Sequence, residues 1–208
     1  MSTRITKIYE RIEKIVGVND AASTSVDIYD SLNDVQRNIA IDTLCLESSS
    51  TITTNSSGVA TEPTGYFRLK RIVFPDNTEI FPVELDVQEY DVIQHQLFTN
   101  ISTTVQYYKR WNGSFTFFPN PGVQTWTIHF YKTPTSTIDA STDPEIPQYM
   151  DKMLEYGAIT QLLLYKNDEA SLAKAQMYTA LYEGERARRI AEWRRTKTVS
   201  NEIYYHDV

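Results

Sequence analysis

The stretch that decides the fold reads DPEIPQYMDKMLEYGAITQLLLYK at residues 143–166 and NDEASLAKAQMYTALYEGERARRIAEWRRT at residues 167–196. Apolar residues recur in it at spacings of three and four, which places them on one face of a helix. Pro147 suits a first helical turn, where its missing N–H costs nothing. Asp168 follows a short polar break and is a candidate N-cap. The stretch therefore predicts two consecutive helices.

The second of these helices carries mostly small residues on its apolar side. The stripe consists of Ala170, Ala173, Met177, Ala180, Leu181, Gly184, Ala187, Ile190 and Ala191. Because the distance between packed helices depends on the side chains at their contact, small residues allow a neighbouring backbone to come close.

The end of the same helix is basic in an acidic chain. Residues 185–197 hold six Arg or Lys and two Glu, whereas the whole chain has a net charge of −7. Two interpretations stay open. In the first, an acidic partner binds this end. In the second, the end is solvated and its cations are explained by the helix dipole, which favours positive charge near a helix C-terminus.

Two more helices are predicted before residue 47. Residues 3–16 have an apolar and a charged face and end at Gly17, and residues 27–46 carry a second apolar stripe. Helices this short do not bury enough apolar surface alone. We therefore expect residues 1–47 and 143–197 to form a four-helix body.

Residues 48–142, between the helical pairs, alternate with a period of two. The alternation predicts strands at residues 66–74, 78–82, 104–109, 114–118 and 125–132, with a short helix at 86–97. The Ser- and Thr-rich run at 48–58 has no assigned role. The predicted fold class is α+β, with an inserted antiparallel β-lobe at 48–142 and an extended C-terminal tail at 198–208.

No motif predicts a catalytic, cofactor-binding or metal-binding residue. The glycines are isolated, Cys45 is the single cysteine, and the three histidines, His95, His129 and His206, have no second ligand at i+3 or i+4. The β-lobe is rich in aromatic residues, which form either a sheet core or a surface that stacks on sugars or bases. Two alternative functions follow: a carbohydrate- or receptor-binding module built on the lobe, and a DNA-binding protein that uses the Arg-rich helix.

Three pieces of sequence carry a family resemblance. They are the early-helix segment LNDVQRNIA at 32–40, the segments FFPNP at 117–121 and TIHFYKTP at 127–134, and Ile146-Pro147 with the final helices after it. In order and spacing they resemble the head-to-tail adaptor (connector) proteins of tailed bacteriophages, whose plan is also helices, β-lobe, helices.

The resemblance implies a structural role without enzyme activity. It implies a ring of twelve copies at the head-to-tail junction of the virion, assembled in the host cytoplasm, with no membrane partner. The ring would sit beneath the portal protein and above tail or neck proteins, and genomic DNA would pass through it without specific binding.

The resemblance also suggests which residues make contacts. The predicted portal contacts are Arg186, Arg188, Arg189, Trp193, Arg194, Arg195, Ile203, Tyr204 and Tyr205. Spacing, rather than the resemblance, indicates the contacts between subunits: Asn33 and Gln36 lie three apart on the early helix and are expected to bond each other or a neighbouring subunit, with Arg37 as a further predicted subunit contact.

Overall fold

The computed structural model describes residues 4–17, 25–90, 104–166 and 168–204. It contains two compact units, a helical unit of Met1–Leu46 with Thr133–Val208 and a β unit of Glu47–Lys132. The predicted α+β class is confirmed. The β unit is shorter than the predicted lobe, since residues 133–142 group with the helices.

Where the structure describes the helical unit, it contains four long helices. They are α1 (Arg4–Val16), α2 (Ser25–Thr43), α3 (Asp151–Lys166) and α4 (Glu169–Tyr204), with a 3-10 turn at Gln148–Met150 before α3. In α1 the buried residues are Ile5, Ile8, Ile12 and Val16, at the spacing of one helix face. Gly17 follows with φ of +78°, a conformation that favours glycine, and ends the helix.

The core of this unit lies around α3, which contacts α1, α2 and α4. Most of the buried apolar side chains come from α1, α2 and α3, while α4 adds Ala175 to the buried set and Tyr178 and Tyr182 at its edge. Gly157 of α3 permits a very close approach, because a Cβ there would lie 2.5 Å from Cγ1 of Val35.

Helix α4 continues to Tyr204, so the extended tail predicted from Thr198 is wrong. Residues 198–204 contain neither Gly nor Pro, and nothing in their backbone chemistry ends a helix. Residues 205–208 lie outside the part of the chain that the structure describes.

Eight strands lie in the described residues of the β unit. They are β1 (Glu47–Thr53), β2 (Val59–Thr61), β3 (Tyr66–Val73), β4 (Glu79–Ile80), β5 (Val83–Leu85), β6 (Tyr107–Trp111), β7 (Ser114–Phe118) and β8 (Thr125–Lys132). One sheet has the order β1-β8-β3-β4 and the other β2-β7-β6-β5. Neighbouring strands are antiparallel except β5 and β6, which are parallel. The Ser- and Thr-rich run supplies β1 and the turn after it.

Aromatic rings from both sheets share one core. The ring centroids of Tyr66 and Phe115 lie 4.7 Å apart, and those of Phe117 and Trp126 lie 5.1 Å apart. Such edge-to-face pairs add to the stability that burial gives. Of the short helix predicted at 86–97, residues 87–90 are helical, and residues 91–97 lie outside the described residues.

Candidate functional site

The described residues include no group of three or more His, Cys, Asp or Glu side chains that could hold a metal ion. His129 lies on a sheet, and its pKa is lowered by partial burial and by the nearby charges of Arg71 and Lys70. Burial raises the pKa of the Cys45 thiol, which keeps it protonated and weakly reactive at neutral pH. His95 and His206 lie outside the described residues.

Most of the aromatic cluster in the β unit is unavailable for stacking on a ligand. Tyr108, Phe115, Phe117 and Trp126 are buried in the core, whereas Trp111 is 69% exposed. The core interpretation of the cluster therefore accounts for most of these rings.

Two of the predicted portal-contact arginines are held within the helical unit. Nε of Arg186 donates to Oδ2 of Asp42 on α2 at 2.7 Å, and this bond is the main cause of the raised pKa of Arg186. Nη2 of Arg189 donates to the carbonyl oxygen of Tyr149 at 2.9 Å, and its guanidinium lies 5.0 Å from the centre of the Tyr149 ring. Both side chains fix α4 against the rest of the unit.

Arg188 differs from its neighbours because its described ion pairs stay on α4. Its Nη2 lies 3.0 Å from Glu185 and its Nε lies 3.8 Å from Glu192. Its side chain is 54% exposed, compared with 15% for Arg189. Arg188 is therefore the most available of these three arginines for an acidic partner.

The other predicted portal contacts lie at the end of the chain. Trp193, Arg194, Arg195, Ile203 and Tyr204 are on the α4 backbone, but their side chains are outside the described part of the structure. Tyr205 lies outside the described residues altogether.

The small-residue stripe of α4 faces solvent. Ala173, Met177, Ala180, Gly184 and Ala187, which we call the open face of α4, are all exposed. Met177 is 53% exposed, and a Cβ at Gly184 would meet no atom within 4 Å. The helix packs on the unit through its other side, where Ala175, Tyr178 and Tyr182 lie.

Asn33 and Gln36 use their polar groups within the chain. Nδ2 of Asn33 donates to the carbonyl oxygen of Ile138 at 3.1 Å, and its Oδ1 accepts from the N–H of Ile138 at 2.7 Å. Oε1 of Gln36 accepts from the N–H of Glu145 at 2.6 Å. These bonds attach the segment that leaves the β unit to α2.

Glu145 is a structural residue that the sequence did not indicate. Its Oε1 accepts from the N–H groups of Thr135 and Ser136, at 2.7 Å and 2.5 Å. The glutamate thereby shapes the loop that lines a polar groove of about 480 Å³ on α2. We call the whole groove the acidic groove. Its other side is formed by Asp30, Asp34 and exposed Arg37.

These features define a class of protein. Across the described residues, polar and apolar surfaces lie open on a helical unit while metal-binding clusters are absent, and none of the described helices is long and apolar enough to cross a membrane. Exposed apolar surface of this kind is typical of proteins that contact other macromolecules.

A comparison with known families shows which family the chain belongs to. The family model described as SU10 adaptor protein matches residues 4–203, and the chain belongs to that family. The match agrees with the resemblance to phage head-to-tail adaptors and gives the protein a structural role in the virion, among other head and tail components. Such a family is not typically enzymatic. No curated protein matches the chain.

Proposed function

We propose that the protein forms a ring between the portal and the tail of a tailed phage and that the ring encloses the DNA channel. The observation that carries the proposal is the adaptor-family match over residues 4–203. The open face of α4 supports it, because a protein that acts through repeated contacts needs exposed surfaces suited to close packing.

A closed ring requires two different surfaces on each copy, one fitting the other on the next copy. We propose the open face of α4 as one of them and the acidic groove on α2 as the other. The open face presents small and apolar side chains, and the groove is lined by Asp30 and Asp34 beside Arg37. Arg37, at the groove, remains a proposed subunit contact. Gln36 is only 1% exposed and would act through the loop it holds.

The basic end of α4 is proposed to meet the portal. Arg188 would contact it directly, together with Trp193, Arg194, Arg195, Ile203, Tyr204 and Tyr205. Arg186 and Arg189 would contribute by fixing the direction of the helix, because their bonds to Asp42 and Tyr149 anchor it.

The remaining surface suits a channel that DNA passes without binding. The chain has a net charge of −7, and an acidic wall repels phosphate. We propose twelve copies in the ring, with tail or neck proteins docking on the side away from the portal and assembly in the host cytoplasm. Many modest contacts then act together, so each can be individually weak.

Ala180→Phe tests the ring interface. Ala180 is exposed in the single chain, so the variant is expected to fold normally, while the added ring blocks close packing at the open face. Native mass spectrometry of the chain with purified portal should show full rings for the natural protein and incomplete ones for the variant.

Lys174→Phe is the matched control. Lys174 is also exposed on α4 but lies about a quarter turn away from the open face. It should assemble normally. Full rings from both variants would reject the open face as a ring contact. If the natural protein forms no ring with portal, the ring itself is contradicted.

A further inference from the structure

Strand β1, formed largely by the Ser- and Thr-rich run, is an edge strand of its sheet in the part of the chain that the structure describes. It stands at the end of the order β1-β8-β3-β4, and no described strand lies on its other side. Its seven residues pair with β8 from Glu47 to Thr53 without a register shift, whereas the pairing of β3 with β8 is shifted at two places.

The hydrogen-bond pattern shows which backbone groups are open. The N–H of Thr54 donates to the carbonyl oxygen of Gln124 at 2.9 Å, so this opposed pair is a hydrogen-bonded one. Such pairs alternate along an antiparallel ladder. Ser48, Ser50 and Ile52 therefore bond to β8, and Glu47, Ser49, Thr51 and Thr53 direct their N–H and C=O groups to the open edge.

Side-chain contacts agree with this alternation. Oγ1 of Thr53 lies 3.0 Å from Oγ1 of Thr125, as expected for a pair without backbone bonds, in which the side chains come closer. The carbonyl oxygen of Thr51 accepts a long bond of 3.4 Å from the Ser50 hydroxyl, which is consistent with a carbonyl not used by β8.

Nothing in β1 protects the edge. Proteins guard such edges with lysine, proline, bulges or very short strands. β1 has none of these features, and its one charged residue, Glu47, is paired with Nζ of Lys70 at 2.6 Å. A row of unpaired backbone groups with small neutral side chains is a template for an added strand.

We propose that β1 binds an extended segment of a different virion protein, which adds as a strand to the β1-β8-β3-β4 sheet. The segment would alternate small polar residues, beside Ser49 and Thr51 on the exposed face, with apolar residues beside Ile52 on the buried face. Thr–Thr contacts like that of Thr53 and Thr125 would continue across it.

A different protein is favoured over a second copy for two reasons. The other described edge strands, β2, β4 and β5, have three, two and three residues and are too short to match β1. Pairing of β1 with β1 of another copy has two-fold symmetry and closes at two copies, which does not extend around a ring. This second reason rests on the proposed function.

Hydrogen exchange of the full chain, free and in assembled particles, tests the proposal. In the free protein the amides of Ser49, Thr51 and Thr53 should exchange fast and those of Ser48, Ser50 and Ile52 slowly. In particles the fast group should slow by about tenfold or more. Unchanged fast exchange in particles that contain the protein would overturn the inference while leaving the adaptor role intact. Protection already present in assemblies of this chain alone, without any other virion protein, would overturn the choice of a different protein.

Thr51→Pro supplies a second, genetic test. Proline removes an N–H that points to the open edge and is tolerated there, so β1 should still pair with β8. Thr51→Pro should block assembly of tailed particles, whereas Thr51→Ala, which keeps the N–H, should allow it. Normal assembly with Thr51→Pro would overturn the proposal, and if that variant does not fold, the exchange measurement decides.

Discussion

Gly157 is a position at which α3 lies very close to its neighbours. A Cβ would lie 2.5 Å from Cγ1 of Val35 and 3.1 Å from Cε2 of Tyr182. Because these atoms belong to α2 and α4, the contact holds three helices at close range, and overpacking there cannot be relieved by moving one flexible side-chain end.

Gly157→Ala should therefore lower the free energy of unfolding, by about 1–3 kcal/mol. Gly184→Ala is the control, since its Cβ meets no atom within 4 Å. That variant should be neutral or more stable by up to about 1 kcal/mol, because alanine favours helix. Urea denaturation measures the free energy of unfolding of both variants. A Gly157→Ala protein as stable as the natural one would contradict the packing described.

Asp168 caps α4. Its Oδ1 accepts from the N–H of Ser171 at 2.9 Å, and the bonds from Ser171 lower the pKa of the carboxyl. A carboxyl whose pKa is lowered in the folded state stabilises it above the pKa of the unfolded state, and this contribution disappears as the pH falls through the folded value.

Asp168→Ala should thus melt at a lower temperature than the natural protein at pH 7, with a smaller difference at pH 3. Asp168→Asn keeps a neutral cap and should lose less at pH 7. Thermal unfolding followed by circular dichroism at the two pH values gives the answer. A deficit for Asp168→Ala that is the same at both would show that the cap charge has no role.

Single residues differ in how far the sequence predicts their partners. The cap at Asp168 is predictable because its partner lies three residues away. The bonds of Asn33 to Ile138 join residues 105 apart in sequence, and those of Gln36 to Glu145 join residues 109 apart. Side-chain identity says that such groups need a partner, but only the fold says which backbone is brought to them.

At the scale of elements, α4 shows why the direction of a helix face is hard to predict. Spacing predicted that the small-residue stripe packs on a neighbouring backbone, but most of this stripe is exposed. A second stripe of Ser171, Ala175, Tyr178 and Tyr182 has a similar spacing, and this is the one that packs on the unit. With two faces of suitable period, the tyrosines supply more buried area, which leaves the small residues exposed.

The strands also show which elements a sequence pattern can predict and which it cannot. The strand at Thr125–Lys132 was predicted with its observed bounds, since its alternation is regular, but β1 was not predicted because its Ser and Thr residues give no contrast between faces. The helical end of α4 was missed for a related reason, because the apolar residues among 198–204 are too few to establish a helical period.

Arg188→Glu tests the binding role of the basic end of α4 without changing Arg186 and Arg189, which hold the helix on the unit. The Arg188 side chain is 54% exposed and its described ion pairs are local, so reversal of its charge should leave the fold unchanged. Binding to purified portal should weaken about tenfold or more, measured by surface plasmon resonance.

Lys174→Glu makes the same change of charge on α4, more than three turns before Arg188. It should bind portal nearly as the natural protein does. Equal weakening by both would mean that net charge, rather than the basic end, governs the attachment.

At the scale of the whole molecule, each of the two units carries some of the proposed contact surfaces. The helical unit offers the open face of α4, the acidic groove and the basic helix end, and the β unit offers the edge of β1. The adaptor-family match over residues 4–203 includes both units, so the role in the virion belongs to the entire chain.

The central claim is that copies of this chain form the ring that joins the portal to the tail. Electron cryomicroscopy of the neck of intact particles, with this chain identified in the density, tests it most directly. The account predicts a ring of twelve copies around the DNA, with the ends of α4 against the portal. Density for this chain elsewhere in the particle, or in the neck without a closed ring around the DNA, would contradict it.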